Sequence, residues 1–170
     1  GSAAAAGAAG DRRRAMQCAT NAGGGNCLFL SVTQALVGTG ALDAEKVKRG
    51  AVDLRHKVAD HYARTGGESE ARWWGRIATR DGWSKHMREI AIDGAWGAFA
   101  DIEAIALLIS RDLLVWDDEA RLWRRFGKNS DSAPLQLRFR RAHYESILVG
   151  GFTAAERSSP RSDLCFVEQG

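Results

Sequence analysis

Asn21-Ala22-Gly23-Gly24-Gly25-Asn26-Cys27-Leu28-Phe29-Leu30-Ser31-Val32 joins two kinds of sequence that cannot belong to one element. Three consecutive glycines are not helix filler; they form a loop with exposed backbone N–H groups that can take unusual φ and ψ. The apolar run that starts at Cys27 reads as a helix, with Leu28, Val32 and Leu36 at fourfold spacing. Cys27 is therefore predicted at a helix N-terminus, directly after a bare-backbone loop. A helix dipole and unpaired amides there favour thiolate over thiol and depress the thiol pKa below its usual value of about 8.5. The same amides can hydrogen-bond the oxyanion that forms when sulfur adds to a carbonyl. Loss of one such donor typically costs about 3 kcal/mol in an acyl-transfer enzyme. Phosphate-cradling loops need GxGxxG or GxxxxGK[ST]; neither is present and no lysine follows the glycines. The competing reading of Cys27 is a small buried hydrophobe.

Outward from this loop the chain changes character twice. Val47, Ala51, Leu54, Val58 and Tyr62 recur at spacings of three and four, which predicts an amphipathic helix with Asp43 as N-cap and Gly66-Gly67 as stop. Lys46, Lys48, Arg55 and Lys57 fill the positions between and are expected to stay wet. A second helix is predicted over Trp83 to Ile92, bounded by Gly82 and Gly94. A third spans Asp101 to Ser110, with Ile102, Ile105, Ala106 and Ile109 on one side. Leu113 to Trp116, a turn at Asp117-Asp118-Glu119, and Arg121 to Phe126 read as a hairpin. Asn129 to Pro134 is a loop by composition. Leu135, Leu137 and Phe139 alternate with Gln136, Arg138 and Arg140 as in a half-buried strand, and His143 to Val149 forms another. Helices followed by strands predict an α+β domain, helices packed on a small, mostly antiparallel sheet.

The chain has 170 residues, 45% hydrophobic and 26% charged, enough for one core. The folded domain is expected over 16–152. Residues 1–15 read as a flexible segment in which Gly1-Ser2 looks like a cloning scar, and 153–170 as a polar tail or an edge strand. No apolar run is long enough to cross a bilayer and no leader is visible, so no membrane association is expected. Net charge is +3. Arginines cluster at Arg12 to Arg14, Arg124-Arg125 and Arg138 with Arg140-Arg141, a strip that could meet phosphate, but no nucleic-acid motif accompanies it. Three cysteines, Cys18, Cys27 and Cys165, are too few and odd for a disulfide scaffold and point to a reducing, cytoplasmic setting. No CxxC pair or zinc-finger spacing occurs, so no metal or other cofactor is expected.

A thiol nucleophile needs a base. His56 and His61 fall within the long amphipathic helix, and His86 within a helix with apolar neighbours. His143 opens a strand, in Arg141-Ala142-His143-Tyr144-Glu145-Ser146-Ile147-Leu148, where an imidazole is rigidly aimed. Gly25-Asn26-Cys27-Leu28-Phe29 resembles the G-D-G-N-C-L-F motif of the ovarian-tumour (OTU) cysteine proteases, which remove ubiquitin from other proteins. His143-Tyr144 with Ser146-Ile147 resembles that family's H-Y-[ND]-S-[VI] strand. Trp96-Gly97, Asp101, Glu103, Ala104 and Ala106, followed by Leu113-Leu114-Val115, resemble its W-G…E-[LI]-x-A-[LI]-A segment.

This resemblance implies a papain-like OTU fold and a thiol-dependent isopeptidase acting on ubiquitin or a ubiquitin-like modifier. It implies Cys27 as nucleophile, His143 as base, and the amides of Gly24, Gly25, Asn26 and Cys27 as oxyanion hole. Tyr144 is expected to pack, Trp96 and Gly97 to serve the core and a helix entry, and Glu103 to be solvated. By the same resemblance, the exposed side of the Asp43-to-Arg64 helix would face ubiquitin. Two positions depart from the pattern. Gly24 stands where the family commonly has Asp, and Glu145 where the third triad member is often Asp or Asn. Strand alternation puts residues 143 and 145 on one face, so Glu145 can serve as that member. The alternative function is a ubiquitin-binding module that cuts weakly or not at all.

Overall fold

The computed structural model describes residues 16–38, 43–75, 80–128 and 130–152. The expectations for 1–15, with Arg12 to Arg14, for 153–170, with Cys165, and for Asn129 lie outside the described residues.

In chain order the elements are strand β1 (Gln17–Ala19), a 3-10 turn (Gly24–Asn26), helices α1 (Cys27–Val37), α2 (Ala44–Thr65), α3 (Glu68–Ala71), α4 (Arg80–Glu89) and α5 (Phe99–Ile109), then strands β2 (Leu113–Asp117), β3 (Leu122–Phe126), β4 (Leu135–Arg140) and β5 (His143–Val149). Helix α2 begins and ends where its caps predict. The Asp43 carboxylate accepts from the amides of Glu45 and Lys46, and Gly66 closes the helix at φ 72°. Helix α4 starts before the predicted Trp83, so Gly82 lies inside it, and it stops at Glu89. Ile92 lies beyond its end and is exposed. β1 and α3, at three and four residues, are too short to show a period and were not anticipated.

The sheet runs β1-β5-β4-β2-β3. Its pairings are antiparallel except for the parallel β2–β4 pair, in which Val115 faces Leu137. Sequence alternation along β4 produces the half-buried strand expected, with Leu135 and Leu137 buried beside half-buried Gln136 and Arg138. Leu113, Val115, Leu137 and Tyr144 join Phe29 and Val32 of α1 and Ile102, Ile105 and Ala106 of α5 in the main core. β2 is buried along its whole length because the opposite face carries a smaller cluster of Met16, Leu114, Trp116, Trp123 and Phe152.

Helix α1 is enclosed between the sheet and α2, so seven of its eleven residues are buried. The hydroxyls of Ser31 and Thr33 are satisfied by donating to the Leu28 and Phe29 carbonyls at 2.9 and 2.8 Å. Gly50 permits the close approach of α2: a Cβ there would lie 2.7 Å from Thr33 Cγ2. Leu36, despite its spacing, is exposed at the far end of α1, and the helix thus delivers its first turn, with Cys27, into the interior.

Candidate active site

The glycine loop is built by backbone geometry that side chains resist. Gly23 and Gly24 lie at φ 70° and 65°, the region that favours glycine. That accounts locally for Gly24 at the position where the resemblance expects Asp. The chain then tightens into the 3-10 turn, whose last bond is the Cys27 amide donating to the Gly24 carbonyl. Gly25 is required for a different reason: a Cβ there would fall 1.6 Å from the Gly94 carbonyl oxygen. Asn21 closes the loop's entry. Its Oδ1 accepts from the Gly23 amide at 2.9 Å, and its Nδ2 donates to the Tyr144 carbonyl at 2.9 Å, which ties the loop to β5.

Beneath the loop lies Arg55, which is not wet as its residue type predicts but buried at 2% exposure. Its guanidinium donates to the Ile90 carbonyl (2.9 Å), the Gly25 carbonyl (3.0 Å) and Asn26 Oδ1 (2.6 Å). It also stacks 4.4 Å over the Phe29 ring. Asn26 continues the network: Oδ1 also accepts from the Gly94 amide, and Nδ2 donates to Asp93. Burial pulls the Arg55 pKa down, while Asp93 and Asp101 act the other way. The fork geometry of arginine lets one side chain bind three acceptors on separate segments.

Cys27 and the start of β5 meet above this platform. The Tyr144 amide donates to Cys27 Sγ at 3.5 Å across 117 residues of sequence. The His143 ring borders the glycine loop, since a Cβ on Gly23 would lie 3.7 Å from Cε1 and 3.9 Å from Nδ1. Cys27 is 1% exposed, and this reverses the expected pKa depression. Burial pushes the thiol up, outweighing the backbone amides of Tyr144, Leu28 and Cys27 that pull it down. Among the described residues Cys18 and Cys27 are both free thiols. No three potential metal-ligating side chains converge among those residues.

The remaining site residues separate into those near the cleft and those in the scaffold. Glu145 is half-buried on β5 opposite Arg138, with its carboxylate 3.9 Å from Arg140 Nη2. Among the described residues the His143 ring makes no hydrogen bond, to Glu145 or to any other group. In the 24–27 stretch the Cys27 amide is already engaged with Gly24, whereas Gly24 and Gly25 open the 3-10 turn, where amides lack internal acceptors. Tyr144 packs as expected, its ring 4.7 Å from Phe139. Gly97 serves packing, for a Cβ there would lie 2.4 Å from Leu28 Cδ2. Trp96 does not serve the core: it is 56% exposed.

Glu103 is not solvated. It is buried, accepts from Arg72 (3.1 Å) and the Gly127 amide (3.0 Å), and its pKa is raised by that burial. Asp101 caps α5 through the Ala98 amide and also binds Tyr62 Oη (2.5 Å) and His86 Nε2 (2.8 Å). His61 binds buried Glu70, and His56 is exposed; all three histidines outside β5 therefore sit in the helical scaffold.

Arg55 is the residue that periodicity could have revealed. It lies four after Ala51 and three before Val58, on the apolar stripe and not opposite it. Asn21 carries no comparable signal, because its partner is a carbonyl more than a hundred residues away.

No curated protein sequence matches the chain. Several solved structures share its fold. The viral OTU domain protease from Dera Ghazi Khan virus is 16% identical with a TM-score of 0.59, covering 81% of this chain and 83% of that one. An Ovarian Tumor (OTU) domain in complex with ubiquitin is 16% identical with a TM-score of 0.60, over 87% and 78% of the two chains. The Hazara virus OTU bound to ubiquitin is 16% identical with a TM-score of 0.54, over 81% and 84%. Among the described residues no helix is long and apolar enough to cross a membrane. The sequence profile described as OTU-like cysteine protease matches residues 22–146, from the glycine loop through the histidine strand, and the chain belongs to that family.

Proposed function

We propose that this chain is a thiol-dependent isopeptidase that removes ubiquitin or a ubiquitin-like modifier from proteins in the cytoplasm, and that 16–152 form the protease domain. The observation that carries this reading is the Tyr144 amide bond to Cys27 Sγ, which joins the glycine-loop motif to the histidine-strand motif. Ubiquitin bound to two OTU structures of the same fold supports the substrate class.

In this reaction His143 takes the Cys27 proton as sulfur attacks the modifier's C-terminal carbonyl carbon. Burial favours the thiol, so the sulfur depends on that base to become nucleophilic. The carbonyl oxygen, now anionic, is held by amides of the Gly24–Cys27 stretch, with Gly24 and Gly25 the freer donors. His143 then returns its proton to the lysine nitrogen as the C–N bond breaks, and water hydrolyses the thioester. Glu145 is the proposed third member. It shares the strand face of His143 and orients the ring once released from Arg140. No cofactor takes part.

Labelling with ubiquitin-propargylamide or ubiquitin vinyl methyl ester tests the reading. Wild type should form a covalent adduct, and Cys27→Ala and His143→Ala should not. An adduct that persists without Cys27 sinks it. A second reading, a ubiquitin-binding module that does not cut, draws on the burial of Cys27 and the Arg140–Glu145 contact. It predicts ubiquitin binding with no adduct on the wild-type protein.

A further inference from the structure

We infer that Arg140 is a positioning residue that acts through Glu145: it draws that carboxylate away from His143, while Asp118 keeps the neighbouring Arg138 from doing the same. This inference rests on the protease reading above, with Glu145 as the third member of the site.

The arrangement follows from strand register. In the antiparallel β4–β5 pair Arg138 stands opposite Glu145, and Arg140 stands opposite His143. Alternation places all four side chains on one face of the sheet. Glu145 thus has one guanidinium directly across from it and a second on the diagonal, both within reach of long side chains. Charge and register alone would send the carboxylate to Arg138. That arginine is already engaged, because its Nε and Nη2 donate to Asp118 Oδ1 at 3.1 and 2.9 Å. Trp116 Nε1 donates to the same oxygen at 3.2 Å and holds Asp118 in place. The Glu145 carboxylate lies instead toward the diagonal partner, 3.9 Å from Arg140 Nη2. Among the described residues the His143 ring is left without a hydrogen bond.

One carboxylate is therefore shared between two claims. The Arg140 side chain is 50% exposed, and an ion pair so open to water shifts a population by no more than about five-fold. The hold on Glu145 is a bias and not a lock. The imidazolium that forms as Cys27 loses its proton competes for the same oxygens, so each turnover carries a small penalty set by which arginine is free.

The test is steady-state hydrolysis of ubiquitin C-terminal 7-amido-4-methylcoumarin by the full chain. Arg140→Gln should raise kcat about three-fold with KM unchanged. Arg140→Lys, which keeps the charge, should stay near the wild-type value. Asp118→Ala frees Arg138 directly opposite Glu145 and should lower kcat about three-fold. Both effects should vanish in a Glu145→Gln background, where no carboxylate remains to be held. A purely structural role would persist in that background and would appear in the melting temperature, which also shows that each variant folds. No gain from Arg140→Gln, a change confined to KM, or a gain of equal size beside Glu145→Gln overturns the inference and leaves the protease reading standing. Turnover by Arg140→Gln where wild type shows none would support it. A chain inactive in both forms overturns the inference and the protease reading together.

Discussion

Replacing Arg55 with Met keeps most of the aliphatic stem and removes the guanidinium that binds the Gly25, Ile90 and Asn26 oxygens. Each such hydrogen bond from a charged donor contributes about 1.5–3 kcal/mol. The gain is partly offset because the cation is buried, which its lowered pKa reflects. Loss of the stack on Phe29 adds about 1 kcal/mol. A net destabilisation of about 3 kcal/mol follows, which for a chain of this size lowers Tm by about 10 °C. The functional effect should exceed the stability effect, because the freed carbonyl belongs to the glycine loop proposed to hold the oxyanion. A displacement of about 1 Å in a reacting group can cost about a hundred-fold in rate. Well below Tm, Arg55→Met should therefore label with ubiquitin-propargylamide about 10–100-fold more slowly than wild type. Arg55→Lys keeps the charge but not the fork, and should recover part of the stability with little of the rate. Calorimetry and timed gel-shift labelling measure both. An Arg55→Met protein that melts within about 2 °C of wild type and labels at the wild-type rate would refute the idea that this side chain holds the loop.

Four further outcomes are expected. Iodoacetamide modification of Cys27, followed by peptide mass mapping to separate it from Cys18, should be slow at neutral pH and rise about ten-fold per pH unit through the usual thiol range, because burial raises the pKa; a rate already flat from pH 6 to 8, as for a preformed thiolate, contradicts this. The same raised pKa means that the stability this group contributes is intact below the ordinary thiol value and is lost as pH climbs through the folded one. Gly25→Ala should fail to label, since its Cβ would lie 1.6 Å from the Gly94 oxygen, and wild-type labelling would show that the loop can move aside. Glu145→Gln should keep the fold but lower kcat and shift its pH profile if this side chain orients His143; unchanged kinetics would remove Glu145 from the site. Tyr62→Phe leaves buried Asp101 with one partner fewer and should cost about 1–2 kcal/mol in denaturant unfolding without altering the pH profile.

Local signals carried most of the architecture. Asp43 and Gly66 bound α2 where capping chemistry put them, and period-two alternation located β4 and β5. What escaped were elements defined by partners and not by period. β1 exists because Cys18 pairs with Ile147, and α3 because Glu70 is buried against His61. Polar residues were misread for a related reason. Arg55 and Glu103 look solvated by residue type, and only the carbonyls, amides and opposite charges converging on them make their burial tolerable. The motifs of the glycine loop, Cys27 and His143 also marked segments that the fold brings side by side. The acidity of the thiol was not legible, since it depends on how deeply α1 is enclosed, and helix position alone gave the opposite sign.

Met16 and Phe152 both belong to the cluster behind the sheet, at the end of β5 where Gln17 pairs with Val149. His143 begins the other end of that seven-residue strand, about 20 Å away at strand rise. The first and last described residues thus lie at one end of β5 and the proposed base at the other.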